Sequence, residues 1–482
     1  MEIYQIAAEL APIAKVGGLG DVIYGLSREL VKQGYSTTLL LPRYGCIAFE
    51  DLEKTELVLT LSIALPCGSL CETLFWKGSY HNLSIILIEP RFPFNYFDSP
   101  KIYGEHHDTQ RFLLFSYLCL SYITHLGKSP ICLHLHDWQT AFVSVFLKLH
   151  FSKKIPHVKT VLTIHNLMHQ GKALFSDLAL FNIPHQDCFA DPQHPSCINL
   201  LKSGMLAADS ITTVSPTYAE EICHPSYSYY LDKTLWETKE KTQGILNGID
   251  YEYWNPNKKH LLPHPYSAAS SGSELLAAKQ KNKEFLQKQF KLEICNKPLF
   301  CCISRLDHQK GPYLLAHAAK HILQNGGQYF ILGTPSTFEM RDLFTHLQTT
   351  LPSQSFVFYD GFNEGLSHLV YASSNAILIP SIFEPCGLTQ LIAMHYGTVP
   401  IARKTGGLAD TVIDLNDTTA PNSEKTGFVF EKAQEDQLMK KIDDFFALYH
   451  DKPSLSALIS RITKKNYSWE IPVKHYLKLY LD

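Results

Sequence analysis

Short apolar runs alternate with longer stretches of helical periodicity through both halves of the chain. In the first half the runs fall at residues 3–8, 37–41, 84–88, 131–135, 159–164 and 210–214. In the second they fall at 298–304, 328–332, 355–359, 376–380 and 398–402. Runs of this length fit buried strands, and their alternation with helical patterns predicts an α/β fold of parallel sheets covered by helices on both faces. Residues 19–34 and 388–396 read as helices that follow loops after such strands, and 275–291 as a charged amphipathic helix.

Between the halves, residues 255–273 are rich in Pro, Ser and His and lack periodicity, so they read as a connector. The predicted organisation is a first domain over 1–248, a second over 249–465, and a C-terminal helix within 466–482 that packs back on the first. A length of 482 residues suits two to four domains at ~100–200 residues each.

Charge and cysteine content narrow the classes. A net charge of −3 gives no electrostatic basis for binding nucleic acid or an acidic membrane. None of the twelve cysteines lies in a CxxC pair, so reduced thiols in a cytosolic protein are the expectation. The N-terminus lacks a basic, then apolar, leader, and no apolar run reaches membrane-spanning length. A cytoplasmic location is expected.

The candidate chemistry sits where strands end, which is where open parallel sheets bind ligands. FEPCGLTQ (383–390) joins the run 376–380 to a helix, with the carboxylate of Glu384 at the joint and Gly387 permitting close approach of a ligand. Unpaired N–H groups at that helix start attract phosphate. KVGGLGDV (15–22) stands between the first strand and the first helix in the same way. Two such loops, nearly a chain length apart, predict two halves closing on one ligand with hydroxyls at one end and phosphate at the other, as in a sugar nucleotide.

HLHDW (134–138) follows the strand 131–135, TIHN (163–166) ends the strand 159–164, and SRLDHQKG (304–311) follows the strand 298–304. Arg305 offers a planar donor fork and Lys310 a compact charge, both suited to a diphosphate. His134, His136 and Asp137, with His106 and His107, admit a metal reading, but no HExxH or cysteine set accompanies them. His136 and His165 fit buried, internally satisfied histidines equally well.

These blocks resemble those of bacterial glycogen synthases and plant starch synthases, retaining glycosyltransferases of the GT-B fold. The matches are KVGGLGDV, LHDW (135–138), TIHN, NGID (247–250), SRLDHQKG, FEPCGLTQ and KTGGLADTV (404–412), in family order from residue 15 to 412. The resemblance implies two Rossmann-like doubly wound domains with the active site in the cleft between them. It implies a nucleotide-activated glucose as donor, most often ADP-glucose, an α-1,4-glucan as acceptor, and no metal or other cofactor. Lys15 would contact the donor's phosphate side, with Gly18 allowing close approach. Arg305 and Lys310 would hold the diphosphate, and Glu384 the transferred glucose. Backbone N–H groups around Cys386, Gly387, Leu388 and Thr389 would meet glucose hydroxyls and the distal phosphate. Asp137, His165 and Asn247 would position the glucose and the acceptor hydroxyl.

Two positions bear on that assignment. Val16 stands where the family more often has Thr, which removes a hydroxyl but keeps the lysine and both glycines. Ile392 stands where many related transferases carry a second Glu, a feature that the glycogen and starch synthases also lack. A different sugar-nucleotide transferase, such as a sucrose synthase relative, is the main alternative. A glycogen phosphorylase would need a pyridoxal phosphate lysine block that is not seen. A glucan-binding protein without catalysis would have no reason to keep Lys15, Arg305, Lys310 and Glu384 together.

Overall fold

The computed structural model describes residues 2–127 and 132–481. They form two compact units, one built from the chain up to Gly248 together with the segment from Trp469 onward, the other Ile249–Ser468. In the first unit the strands are β1 (Glu2–Ile6), β2 (Ser36–Pro42), β3 (Glu53–Ala64), β4 (Leu70–Tyr80), β5 (Leu83–Pro90), β6 (Cys132–His136) and β7 (Lys159–Ile164). A small antiparallel pair follows, β8 (Lys172–Leu174) and β9 (Cys197–Asn199), then β10 (Ser210–Thr213) and β11 (Thr242–Gly244). Nine of them form one sheet in the order β11-β10-β7-β6-β1-β2-β5-β4-β3.

The second unit carries β12 (Leu299–Leu306), β13 (Gln328–Pro335), β14 (Phe356–Asp360), β15 (Ala376–Ile379), β16 (Val399–Arg403) and β17 (Phe428–Phe430). All are parallel, in the order β14-β13-β12-β15-β16-β17. The chain winds outward one way from β12 through β13 and β14, then returns to the other side of β12 with β15. This reversal opens a crevice at the carboxyl ends of β12 and β15. Register widens it: β12 pairs with β15 only at Phe300–Ala376 and Cys301–Ile377, yet stays paired with β13 as far as Leu306.

The α/β architecture agrees with the alternating pattern of the sequence, and every expected strand is present within a few residues of its expected limits. Ile131, the expected start of β6, lies outside the described residues. The hairpin β3–β4 was not anticipated. Along β3, Leu59, Leu61 and Ile63 alternate with Thr60 and Ser62 and pair antiparallel with β4 at the sheet edge, the signature of a strand with one solvated face rather than a buried run. The C-terminal return begins at Trp469 rather than at 466. Ile249 N–H donates to the Tyr467 carbonyl at 2.8 Å and Tyr467 N–H to the Tyr251 hydroxyl at 2.7 Å, which holds 466–468 in the second unit. Among the described residues, no helix is long and apolar enough to cross a membrane.

The helix Gly272–Gln289, expected to show a charged face, buries two of its charges, Lys279 and Lys283. Lys279 is sealed off, and its ammonium donates to the carbonyls of Tyr371, Ala372 and Tyr396 and to the Thr398 hydroxyl at 2.8–3.1 Å. Burial pushes it down to about 7. Because Tyr396 caps the short helix Thr389–His395, this lysine tethers the helix that follows FEPCGL.

In the first unit the helix Gly18–Lys32 lies against the C-terminal segment. Trp469 is buried with Val22, Leu26, Val473 and Tyr476, and its indole occupies the space that a side chain at Gly25 would fill. Trp469→Ala should therefore cost about 3–5 kcal/mol of stability, read as a lower urea midpoint. An unchanged midpoint would show that the segment contributes no core.

Candidate active site

In the second unit, a cavity opens at the ends of β12 and β15, lined by Ser304, Lys310, Ser381, Glu384, Gly387 and Thr389 among others. Two loops build it by close backbone contact. Ile382 N–H donates to the Gln309 carbonyl at 2.7 Å, and Gln309 donates its amide to the Phe383 carbonyl at 3.2 Å. Gly311, at φ +66°, lies so near the Pro380 carbonyl that a side chain there would collide with it.

Glu384 is buried, and Lys310 Nζ lies 2.6 Å from its Oε2. The Ser381 hydroxyl donates to the same oxygen at 2.8 Å. The Arg403 guanidinium clamps the joint from behind, donating to the carbonyls of Ser381 and Ile382. Gly406, at φ +42°, and Gly407 pack against the Glu384–Cys386 backbone with no room for a side chain, and Gly407 N–H donates to the Glu384 carbonyl at 3.1 Å. Gly387, at φ +72°, turns the chain, and Gln390 donates to the carbonyls of Cys386 and Gly387 at 3.0 and 2.8 Å. The helix begins only at Thr389, with Leu388 as its cap residue, and is seven residues long.

Of the residues expected in this unit, Lys310, Glu384, Gly387 and Thr389 come together around the cavity. Cys386 is buried beside it. Arg305 does not line it: the side chain is 61% exposed, 3.4 Å from Asp307.

The first unit carries the remaining candidates in the loops that follow β1, β6, β7 and β11. Lys15 pairs with Asp21 at 2.9 Å. The loop after it is held by Glu9, whose Oε2 accepts from the N–H groups of Val16 and Gly17, both at 2.9 Å, while Oε1 accepts from the Tyr103 hydroxyl at 2.9 Å. Gly18 is exposed at the first position of its helix. Gly20 is the glycine packed close to Glu9 and the Lys15 stem.

Asp137 holds φ +57° and ψ −173°, a conformation costing about 1–3 kcal/mol for a non-glycine residue. Its Oδ1 accepts from the His165 N–H at 2.7 Å, which ties the end of β6 to the loop after β7. Burial raises its carboxyl to about 7, against the lowering effect of the His165 and Asn166 N–H groups. Burial pushes the His165 imidazole down to about 3. Gly171, at φ +64°, leaves space for the Trp138 ring. Asn247 is buried with its Oδ1 lacking a hydrogen-bond partner, an acceptor or donor-seeking position of the kind a ligand satisfies.

Both ring nitrogens of His134 and of His136 are engaged with protein groups, which removes the lone pairs a metal would need. The supporting residues Glu9, Ser381, Arg403, Gly406 and Gly407 were not singled out from sequence. A charged residue inside the apolar stretch after β1 was the one available signal for Glu9.

Comparison with known proteins places this geometry. Residues 2–237 match the family model described as starch synthase catalytic domain, and residues 284–465 match glycosyl transferases group 1. A glycogen synthase of Protochlamydia amoebophila is 37% identical over all of this chain and 99% of its own length. A glycogen synthase of Trichormus variabilis is 36% identical with the same coverage. The catalytic domain of starch synthase IV from Arabidopsis thaliana, solved bound to ADP and acarbose, superposes with a TM-score of 0.93 at 36% identity, covering 99% of this chain and 98% of that one. A sucrose-phosphate synthase of Thermosynechococcus elongatus, 18% identical with a TM-score of 0.61, shares the fold. The chain belongs to the glycogen and starch synthase family of GT-B glycosyltransferases.

Proposed function

We propose that this enzyme transfers glucose from ADP-glucose to the non-reducing end of an α-1,4-glucan, with retention of configuration and release of ADP. The observation that carries the reading is the Lys310–Glu384 pair at 2.6 Å in the β12–β15 crevice. It sets a cation suited to a departing diphosphate directly beside a carboxylate suited to a sugar that develops positive charge. ADP and acarbose bound to the Arabidopsis relative favour adenine as the base and an α-glucan as the acceptor.

On this reading Lys310 leaves Glu384 for the diphosphate as the donor binds, and Glu384 turns to the glucose. Arg305, exposed at the crevice rim, adds a second cation, and Lys15 meets the donor's phosphate side with Gly18 clearing its path. The N–H groups around Cys386, Gly387, Leu388 and Thr389 meet glucose hydroxyls and the distal phosphate. Asp137, His165 and Asn247 position the sugar and the acceptor hydroxyl. The two cations carry the charge that a metal otherwise would, so no metal is assigned.

Transfer to a glycogen primer, assayed with ADP-glucose and separately with UDP-glucose, should favour ADP-glucose and be unaffected by EDTA. Faster transfer from UDP-glucose, or loss in EDTA, would overturn those parts. Glu384→Ala should lower turnover by about a hundredfold or more while ADP affinity by calorimetry barely moves; near-normal turnover would sink its role. Lys310→Ala should instead weaken ADP binding.

A pH test follows from Asp137. Its carboxyl rises from 3.8 to about 7 on folding, so the folded state keeps a proton that the unfolded chain releases. The stability this gives is complete below the ordinary carboxylate range and is lost as pH rises through about 7. Asp137→Asn, which cannot ionise, should gain stability relative to the parent between pH 4.5 and pH 8 in urea unfolding. Parallel pH curves would show that the carboxyl is not perturbed.

A further inference from the structure

In the first unit, buried hydrogen bonds run unbroken from His165 to the C-terminal helix Pro472–Leu481. His165 Nε2 lies 3.1 Å from His136 Nδ1, and His136 Nε2 lies 2.7 Å from Gln5 Oε1. Gln5 Nε2 donates to the Tyr480 hydroxyl at 3.4 Å, which lies 2.7 Å from His134 Nδ1. His134 Nε2 is 2.6 Å from Thr163 Oγ1, itself 2.5 Å from Thr212 Oγ1. Every member except His165 is sealed from solvent, so water does not share these bonds.

A neutral imidazole has one N–H and one lone pair, so each ring hands on the bond direction it receives. Burial pushes all three histidines below their ordinary value, which keeps them neutral near pH 7. The Gln5 carbonyl oxygen can only accept, so His136 carries its proton on Nε2. His136 Nδ1 must then accept, so His165 carries its proton on Nε2 and keeps the lone pair on Nδ1. On the other arm, the Gln5 amide donates to Tyr480, Tyr480 donates to His134 Nδ1, and the His134 proton sits on Nε2 facing Thr163. Turning the Gln5 amide over would reverse each bond in sequence and move the His165 proton to Nδ1. In the structure the Gln5 amide stands with Oε1 toward His136 and Nε2 toward Tyr480, which selects the first direction.

We propose that Gln5 and Tyr480 are positioning residues that hold His165 with its proton on Nε2, so that Nδ1 is offered as an acceptor to a hydroxyl of the bound sugar. The last step rests on the reading above that His165 faces the sugar. The consequence is that a residue of the C-terminal helix, two from the end of the chain, sets the polarity of a group at the substrate site. A ring left to both tautomers would offer a donor where an acceptor is required.

The test is long-range proton–nitrogen NMR on the full chain labelled with 15N-histidine, which separates protonated from bare ring nitrogens. The parent should show Nε2–H at His134, His136 and His165. Tyr480→Phe removes only the hydroxyl, and Gln5→Met removes the junction if the first variant folds poorly. Either should give a mixed or reversed His165 tautomer, with kcat down about five- to tenfold and KM for the nucleotide sugar little changed. A parent with Nδ1–H, or variants that both keep Nε2–H at His165, would overturn the proposal. His165→Ala tests the other reading separately: unchanged turnover there, with the tautomer still shifted in Tyr480→Phe, would remove His165 from the sugar site and leave the chain of bonds intact.

Discussion

A carboxylate set against the end of a buried sheet is unstable unless its charge is met close by. Glu384 is met by Lys310 at 2.6 Å and by Ser381 at 2.8 Å, and much of the second unit is arranged to keep those partners in place. Lys310 is delivered by the loop after β12, Glu384 by the loop after β15, and these strands are neighbours only because the sheet order reverses there. Arg403 at the end of β16 fixes the carbonyls of Ser381 and Ile382 just before the joint. Lys279 secures the far end of the following helix. The same ion pair leaves a cation and an anion side by side, ready to be separated by a ligand that carries the opposite charges.

The first unit meets a similar requirement with different chemistry. Glu9 spends its carboxylate on the backbone of the KVGG loop, and Asp137 spends part of its own on the loop after β7. Both carboxylates therefore shape loops. His134 and His136 behind them are satisfied through His165, Gln5, Tyr480 and Thr163, so polar groups penetrate the sheet with both ring nitrogens of each paired. Strain at Asp137 is tolerated because bonds from β6 and β7 determine its position from both sides.

Glycine placement follows the same logic. Gly406 and Gly407 belong to the KTGGLADTV block. Their role is steric: they let the backbone after β16 lie directly on the Glu384–Cys386 segment. Gly20 makes the close approach to Glu9, while Gly18 stays exposed.

The sequence by itself determined the α/β class, the strand positions and the polar residues at strand ends, because hydrophobic periodicity and loop motifs are local properties that need no partner to be read. Lys15, Asp137, His165, Lys310, Glu384 and Gly387 stand in motifs that could be read in that way, whereas the choice of Thr389 and the roles of Lys15, Asp137 and His165 came from the family resemblance. Only the tertiary structure decided what depends on contacts between distant segments. The hairpin β3–β4 depends on an edge with one solvated face. The pairing of Lys310 with Glu384 depends on the strand order. Gln5 and Tyr480, 475 residues apart, meet because the chain's last helix packs on the first unit's sheet. No local pattern specifies that contact, since its free energy comes from burying surface contributed by both ends of the chain.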